Sequence, residues 1–503
     1  MRSQEELFQL IHSLGKHEKR FFKLSASAEK GEKQYLHLFD IIARQSEYNA
    51  DEICRELEIN KNVLAVQKNY LQKLILECMT SLYSNHGIEV KKLLLQAEFL
   101  YSKGLYNHHK KILEKAKKLA NHFEMRNQLL EILHMEHTLA WKNQNLLNAG
   151  KAIEEEKEIL EQFSIERQYT HLANEILTQI IRMGDNRNVQ DLKKINALMK
   201  NPLMRNEKSA PTFRAKYTLY HTHCSYHTIS GNLKEQYRFA KKAKELYDEN
   251  PEKIKYNTIT YLYSIYNLVY SCNALKKYDE AKICIDMLNK NSHALTSVSE
   301  KTWAFCIFHE NNLKYFIQTG RFEEGLASTE KLISDLNYYS EKMAGPQKMF
   351  LYFHIAKIFF GMKKYNMSLD WTNKIISDER HLRINPDHES NVKIFYLIVH
   401  FEKGNAELLP YLAKSLYRYL SSKQRVYKFE SIILNFLEKK IFKIKTRIEL
   451  IEQLVKLKSE LLPLEKDPHE GMPFKEFDYI SWLESKIENK SFSEIVRKKL
   501  QEQ

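Results

Sequence analysis

The chain has 503 residues and carries a formal net charge of +14. It contains only 13 glycines and 9 prolines, well below the usual shares of about 7% and 5%. Glycine-rich phosphate loops and closely spaced β-turns require more of these residues, so most nucleotide-binding α/β folds, β-sandwiches and propellers are excluded. Since 43% of the residues are apolar and 28% are charged, we expect a globular chain rather than a disordered one. The low glycine and proline content predicts that its fold class is all-α.

Residues 1–85 are predicted to form a separate helical module. Ser3 has the position of an N-cap, and apolar residues follow it at helical spacing. Two short helices, a turn at Asn60 and a long helix then match the outline of a helix-turn-helix DNA-binding module. The module is balanced in charge, so an ordinary helical trio is the preferred alternative. The long helix offers only three cations, which are Lys61, Lys68 and Lys73.

The region 86–425 is predicted to consist of repeated helix pairs. Each copy has an apolar helix, a short break, a marker residue that is aromatic or aliphatic, and a second, amphipathic helix. In the three clearest copies a small residue follows the aromatic marker by three positions and shares its helix face; these are Tyr278 with Ala281, Phe322 with Gly325, and Tyr365 with Ser368. A spacing of 41 to 45 residues separates successive markers, which are Tyr106, Leu147, Val189, Leu233, Tyr278, Phe322 and Tyr365. This period predicts two helices and two turns per copy, and such pairs bury their apolar faces only by stacking.

The step from an aromatic residue to a small one at the start of each second helix resembles the tetratricopeptide repeat. Asn250-Pro251, which closes one second helix, is similar to the terminal proline of that repeat. The spacing exceeds the family's period of about 34 residues, and the family's Trp and Gly of the first helix are missing, so HEAT-like repeats remain the competing subclass. The resemblance implies a right-handed α-solenoid of stacked antiparallel helix pairs that acts as a protein-interaction scaffold and has no catalytic residue.

Residues 426–503 are predicted to form a C-terminal helical capping segment. Helices are expected over 429–442, 445–462 and 474–487, with a proline-containing loop before the last one. Such a segment is expected to cover the last apolar face of the array, as terminal repeats do.

The sequence contains none of the common catalytic motifs. Phosphate-loop, dinucleotide-binding, H-E-x-x-H and G-x-S-x-G patterns are all missing, so no catalytic residue and no cofactor are predicted. The best metal-ligand spacing is that of His223 and His227, with Cys224 beside them. No second half-site accompanies them, so a helix that uses histidine as a filler is the preferred interpretation and no metal is predicted.

Cysteine usage and hydropathy together predict a cytoplasmic protein. The six cysteines are far apart and form no C-x-x-C pair, so we expect reduced thiols. No apolar run is long enough for a membrane span. The first residues lack the basic and apolar regions of a secretory signal.

The tyrosines supply the candidate residues for binding a partner. Tyr263, Tyr266 and Tyr270 have the spacing i, i+3, i+7 and share one helix face. The resemblance to tetratricopeptide repeats implies that the first helix of each pair lines the concave face. These side chains are therefore candidates for a partner groove. Tyr217 and Asn312 are their neighbours in adjacent repeats. Core packing is the competing interpretation, and the apolar character of the helix favours it.

The stretch 410–447 is the one strongly basic region, with ten basic and two acidic side chains. Aromatic residues interleave with the cations, as is typical of surfaces that bind nucleic acids; a solvated lysine-rich face is the alternative. The candidate polyanion patch consists of Lys414, Arg418, Lys439, Lys440, Lys443, Lys445 and Arg447.

These patterns predict a non-enzymatic scaffold that binds another protein or a peptide. The alternative is a nucleic-acid-associated or regulatory factor that uses the N-terminal module or the basic stretch 410–447.

Overall fold

The computed structural model describes residues 2–28, 34–82, 86–183, 189–378, 386–423, 426–441, 444–467 and 470–502. Throughout these ranges the chain forms helices and no β-strand, which confirms the all-α prediction. Helices pack mainly against their neighbours in the chain, and contacts group the molecule into two compact units, Met1–Glu161 and Gln162–Gln503. None of the helices within the described ranges is both long enough and apolar enough to cross a membrane.

The first unit has two cores. Helices α1–α5 enclose one that includes Leu38, Phe39 and Ile75. Helices α6–α8, with the start of α9, enclose the other. The side chain of Asn60 accepts a hydrogen bond from the backbone N–H of Val63 and so fixes the start of α5. The helices are α1 Arg2–Ser13, α2 Lys16–Ala28, α3 Gln34–Arg44, α4 Ala50–Glu56, α5 Lys61–Leu82, α6 His86–Ser102, α7 Tyr106–His122, α8 Arg126–Lys142 and α9 Leu146–Met183.

Helix α9 differs from the predicted repeat. The marker spacing from Leu147 to Val189 predicts two helices with a turn between them, but the chain forms one helix of 38 residues. Residues 151–183 contain neither glycine nor proline, so nothing in the local sequence ends the helix. The predicted break at Gly184 lies outside the described residues.

The second unit contains successive helix pairs that share one large core. The helices before and within the pairs are α10 Val189–Met199, α11 Pro202–Arg205, α12 Phe213–Ile229, α13 Leu233–Asp248, α14 Pro251–Ile254, α15 Thr258–Ala274, α16 Tyr278–Ser292, α17 Val298–Gln318, α18 Phe322–Tyr339, α19 Gly345–Gly361, α20 Tyr365–Ser377, α21 Pro386–Glu402 and α22 Leu409–Ser422. The C-terminal helices are α23 Lys428–Asn435, α24 Arg447–Leu461, α25 Met472–Glu476, α26 Tyr479–Ile487 and α27 Phe492–Gln501.

One turn conformation recurs between the two helices of each pair. A single residue has a positive φ in each of these turns, at Gly231, Lys276, Gly320, Lys363 and Gly404. The next N–H donates to the carbonyl five residues back, as Arg321 does to Phe316 at 2.9 Å. This geometry ends the first helix and satisfies its last carbonyls. The turns recur every 41 to 45 residues, and four of them lie two residues before a predicted marker.

Small residues allow successive pairs to approach closely. A β-carbon built on Gly325 would lie 2.5 Å from Cδ1 of Ile358 in the next pair. Ala281 and Ser368, at the corresponding positions, are fully buried. The Oγ of Ser368 donates to the carbonyl of Ala356 at 2.8 Å, so this position also carries a buried hydrogen bond.

The last predicted helix, 474–487, is two helices, and a further helix follows them. The backbone is extended at Phe477, and the Asp478 carboxylate accepts from the N–H of Ser481 at 2.8 Å. Asp478 is therefore the N-cap of a new helix, α26. The Ser491 side chain and Glu494 then form a capping box that starts α27.

The C-terminal segment returns to earlier helix pairs. The carbonyl of Gly320 accepts from Ser493 Oγ and Arg497 Nε, both at 2.8 Å. Further back in the segment, Trp482 Nε1 donates to the Glu402 carboxylate at 2.7 Å. Helices α25–α27 therefore contact the ends of the first helices of three successive pairs, since Lys357 of α19 is also bound to this segment.

Candidate partner-binding surface

Helix α15 leaves one row of tyrosines at the surface. Ile265 and Val269 on its other faces are fully buried. Tyr263 and Tyr270 are each 38% exposed, and Tyr266 between them is half-buried. The structure therefore keeps the predicted stripe together on a face that solvent reaches.

Helix α17 of the next pair completes this surface. The ring of Trp303 lies 4.2 Å from that of Tyr263 and 6.4 Å from that of Tyr266, measured between centroids. The ammonium group of Lys314 lies 5.7 Å from the centre of the Tyr270 ring. These are aromatic stacking and cation–π distances. We call the set the tyrosine surface, and its members are Tyr263, Tyr266, Tyr270, Trp303, Glu310 and Lys314.

Glu310 is the acidic member of the tyrosine surface. It follows Trp303 by about two helical turns and so shares its face of α17. The side chain is half-buried, and no hydrogen bond or ion pair joins its carboxyl group to another residue in the part of the chain that the structure describes. Burial raises the pKa of Glu310 to about 7; Lys314 opposes this shift, and Glu476 adds to it.

The C-terminal segment covers the next first helix, α19. Lys357 is 4% exposed, and its Nζ donates to the backbone carbonyl of Glu476 at 2.9 Å. The Glu476 carboxylate lies 3.9 Å from the same ammonium group. Burial lowers the pKa of Lys357 to about 8. Beside it, His354 is buried with Nδ1 2.7 Å from the carbonyl of Phe350. The tyrosine surface is therefore open on α15 and α17, whereas these side chains of α19 are closed off.

Two other predicted partner residues take part in the packing of the fold. The hydroxyl of Tyr217, on α12, donates to the carbonyl of Thr260 at 3.3 Å, and burial raises its pKa well above the usual value. Asn312 is 6% exposed, and its Nδ2 donates to Ser328 Oγ in α18 at 3.0 Å. Asn312 thus contacts the second helix of its own pair rather than the tyrosines.

Sequence reasoning missed Trp303, Glu310 and Lys314. A signal for two of them was present, because the markers Tyr278 and Phe322 are 44 residues apart. Applying that offset to the stripe places Glu310 at the position of Tyr266 and Lys314 at that of Tyr270. Comparison of first helices by marker, rather than a search for tyrosine alone, predicts the mixed chemistry of the surface.

The candidate polyanion patch lies on α22, on the short helical segment Phe436–Lys440 that follows α23, and around the start of α24. Lys414 and Arg418 are exposed on α22, beside Tyr411 and Tyr417, which are 76% and 44% exposed. No acidic side chain pairs with these two cations within the described chain. One face of α22 therefore presents two cations and two phenol rings to solvent.

The remaining members of the patch lie after α22. Lys439 is exposed, and Lys440 lies 3.8 Å from Glu460. Lys445 and Arg447 are exposed around the start of α24, and Arg447 lines a cavity of about 610 Å³ together with Trp482. Lys443 lies outside the described residues.

The histidines of α12 pack against an aromatic ring. The His223 ring is stacked on Phe239 at 4.2 Å, and its Nε2 donates to the carbonyl of Met204 at 2.7 Å. Burial lowers the pKa of both His223 and His227. Over the described ranges no group of three or more His, Cys, Asp or Glu side chains is placed to hold a metal ion.

Neither the known protein-family models nor the curated protein sequences give a match to this chain.

Proposed function

We propose that the chain is a non-enzymatic helical-repeat scaffold that binds another protein through the tyrosine surface. The observation that carries this proposal is the contact of Tyr263 with Trp303 at 4.2 Å, which joins first helices of two successive pairs at a face that solvent reaches. Tyrosine and tryptophan are enriched at protein interfaces, where they supply large contact areas and a hydrogen bond.

The arrangement proposed for the pairs is tetratricopeptide-like. The turns at 41 to 45 residues support it, because they bring the first helices of successive pairs into equivalent positions along the chain. A partner that contacts α15 and α17 together then reads side chains from two repeats. The partner is an extended peptide or a helix from another protein.

Partner capture from a native-cell extract, with and without nuclease, tests this function. Tyr270→Ala and Trp303→Ala are each expected to lose the protein that the wild-type chain retains, whereas Tyr411→Ala, which removes an exposed ring from α22, retains it. Equal capture by all four proteins contradicts the proposal. Nuclease-sensitive capture instead supports the second candidate function.

The second candidate function is polyanion binding by α22. Its support is that Lys414 and Arg418 lie beside exposed tyrosines and form no ion pair with any residue that the structure describes. The N-terminal module offers fewer available cations to a polyanion. Lys61 pairs with Asp51 at 2.8 Å, and Lys68 is buried with its Nζ 3.0 Å from the Tyr48 hydroxyl. Cations already held within the chain contribute little to phosphate binding.

A further inference from the structure

We infer that Glu310, with the rings of Tyr266 and Trp303, binds a basic side chain of the partner, and that arginine is preferred to lysine. The inference rests on the proposed function and names the chemistry of the bound segment. It follows from three observations. The Glu310 carboxyl group is unpaired within the described chain, aromatic rings share its face, and the nearby cations contact other groups instead of Glu310.

The carboxyl group of Glu310 has no partner in the described chain although it is half-buried. A carboxyl group in such a place loses hydration without gaining a hydrogen bond, which is unfavourable in the isolated protein. A cation from outside reverses this cost because a charge-assisted hydrogen bond replaces the lost water.

The rings on the same face as Glu310 suit a cation. Tyr266 and Trp303 meet edge to face, with their ring planes at 79°. Aromatic faces attract ammonium and guanidinium groups, and tryptophan does so most strongly. Guanidinium stacks on rings and offers a planar fork to a carboxylate, so arginine fits this combination better than lysine.

The charged and titratable groups around Glu310 come from four elements. Tyr266 acts on it from α15, Lys314 from α17, Lys357 from α19, and Glu476 from α25. Lys357 is held by Glu476, and Lys314 lies by Tyr270 without pairing with Glu310. The internal cations therefore leave the Glu310 carboxyl group unoccupied.

Fluorine NMR of the full chain labelled with 5-fluorotryptophan tests the inference directly. The resonance of Trp303, assigned through Trp303→Phe, is followed during titration with Nα-acetyl-arginine amide. We expect a saturable shift in the millimolar range, a smaller affinity for Nα-acetyl-lysine amide and no response to Nα-acetyl-citrulline amide, which keeps the shape of arginine without its charge. Glu310→Gln is expected to abolish the response, and Glu330→Gln, which changes an exposed carboxyl group on α18, to preserve it.

The pH dependence provides a second measurement that does not depend on a variant folding. Binding requires the ionised carboxyl group, so wild-type affinity for arginine amide should fall about tenfold from pH 8 to pH 6, as expected for a group with a pKa of about 7. Lys357 gains charge over the same range, which weakens the binding of a cation in the same direction.

Three results overturn the inference: no saturable shift with arginine amide, an equal shift with the citrulline compound, or an unchanged response in Glu310→Gln. Loss of partner capture in Tyr270→Ala without any arginine response means that the scaffold function holds and the arginine site does not. If Trp303 responds to arginine amide but Tyr270→Ala still captures the partner, the arginine site holds and the proposed scaffold function does not.

Discussion

The ring of Phe322 lies directly against the backbone of Gly361. A β-carbon built on Gly361 would be 2.1 Å from Cδ1 of that ring. Phe322 opens α18 and is fully buried, and Gly361 ends α19 in the next pair. One repeat marker is thus packed against the helix end of the following copy, where only a hydrogen atom fits.

Gly361→Ala is expected to destabilise the second unit by about 1–3 kcal/mol because the new methyl group overlaps the Phe322 ring. Urea unfolding monitored by circular dichroism measures the change. Gly150→Ala is the control: nothing lies within 4 Å of a β-carbon at Gly150, and alanine in a helix interior stabilises by about 1 kcal/mol. A Gly361→Ala protein as stable as the wild type contradicts the close packing.

Truncation of tyrosines is expected to separate core from surface. Tyr261 is 3% exposed, so Tyr261→Ala should lower the free energy of unfolding by about 3–5 kcal/mol. Tyr270→Ala removes a ring that is 38% exposed and should cost about 1 kcal/mol or less. Thermal unfolding of both variants measures the difference, and an equally large loss in Tyr270→Ala places that ring in the core.

Stability should depend on pH through Glu310. Its pKa is near the ordinary value of 4.5 when unfolded and rises to about 7 on folding, so the folded state binds more protons between these values. Stability due to this group is therefore complete below pH 4.5 and is lost as the pH rises through 7. Glu310→Gln should stabilise the chain by about 1–3 kcal/mol at pH 8 and by little at pH 4.5.

Denaturant unfolding of the wild type and Glu310→Gln at both pH values measures this difference. A variant that is less stable than the wild type at pH 8 means that the carboxylate has a stabilising partner in the folded chain.

Charge reversal on α22 tests the second candidate function. If the helix binds polyanions, Lys414→Glu with Arg418→Glu should remove salt-sensitive binding of a fluorescent single-stranded RNA, with the salt slope falling by about one unit per lost phosphate contact. Lys111→Glu with Lys118→Glu makes the same change in charge at exposed positions of α7 and should leave binding intact. Fluorescence anisotropy at several salt concentrations measures both, and wild-type protein that binds no RNA at low salt ends the hypothesis.

Local sequence patterns predicted the helical class and much of the pairing. The turns before Leu233, Tyr278, Phe322 and Tyr365 lie where the markers place them, because the apolar periodicity that indicates each helix is a local feature of the sequence. The same local signals explain one failure: between Leu147 and Val189 the absence of a helix breaker outweighed the expected period.

Other features depend on contacts that local patterns do not encode. Arg497 reaches Gly320 across 177 positions of sequence, and no periodicity indicates that pairing. The stripe of Tyr263, Tyr266 and Tyr270 was visible, but Trp303 meets it only because α15 and α17 pack side by side. Asn312, chosen as a neighbour of the stripe, faces α18 instead.

The return of α27 to Gly320 has a consequence for synthesis. During synthesis the middle helix pairs emerge from the ribosome long before Ser493 and Arg497 are made. The carbonyl of Gly320 therefore has neither of these two hydrogen-bond donors until the chain is almost complete. Contacts of such large sequence separation form slowly, and nascent chains that expose apolar surface in the meantime are prone to aggregate. A premature stop codon that removes α27 would therefore disturb the turn at Gly320, which is far from the missing residues in sequence.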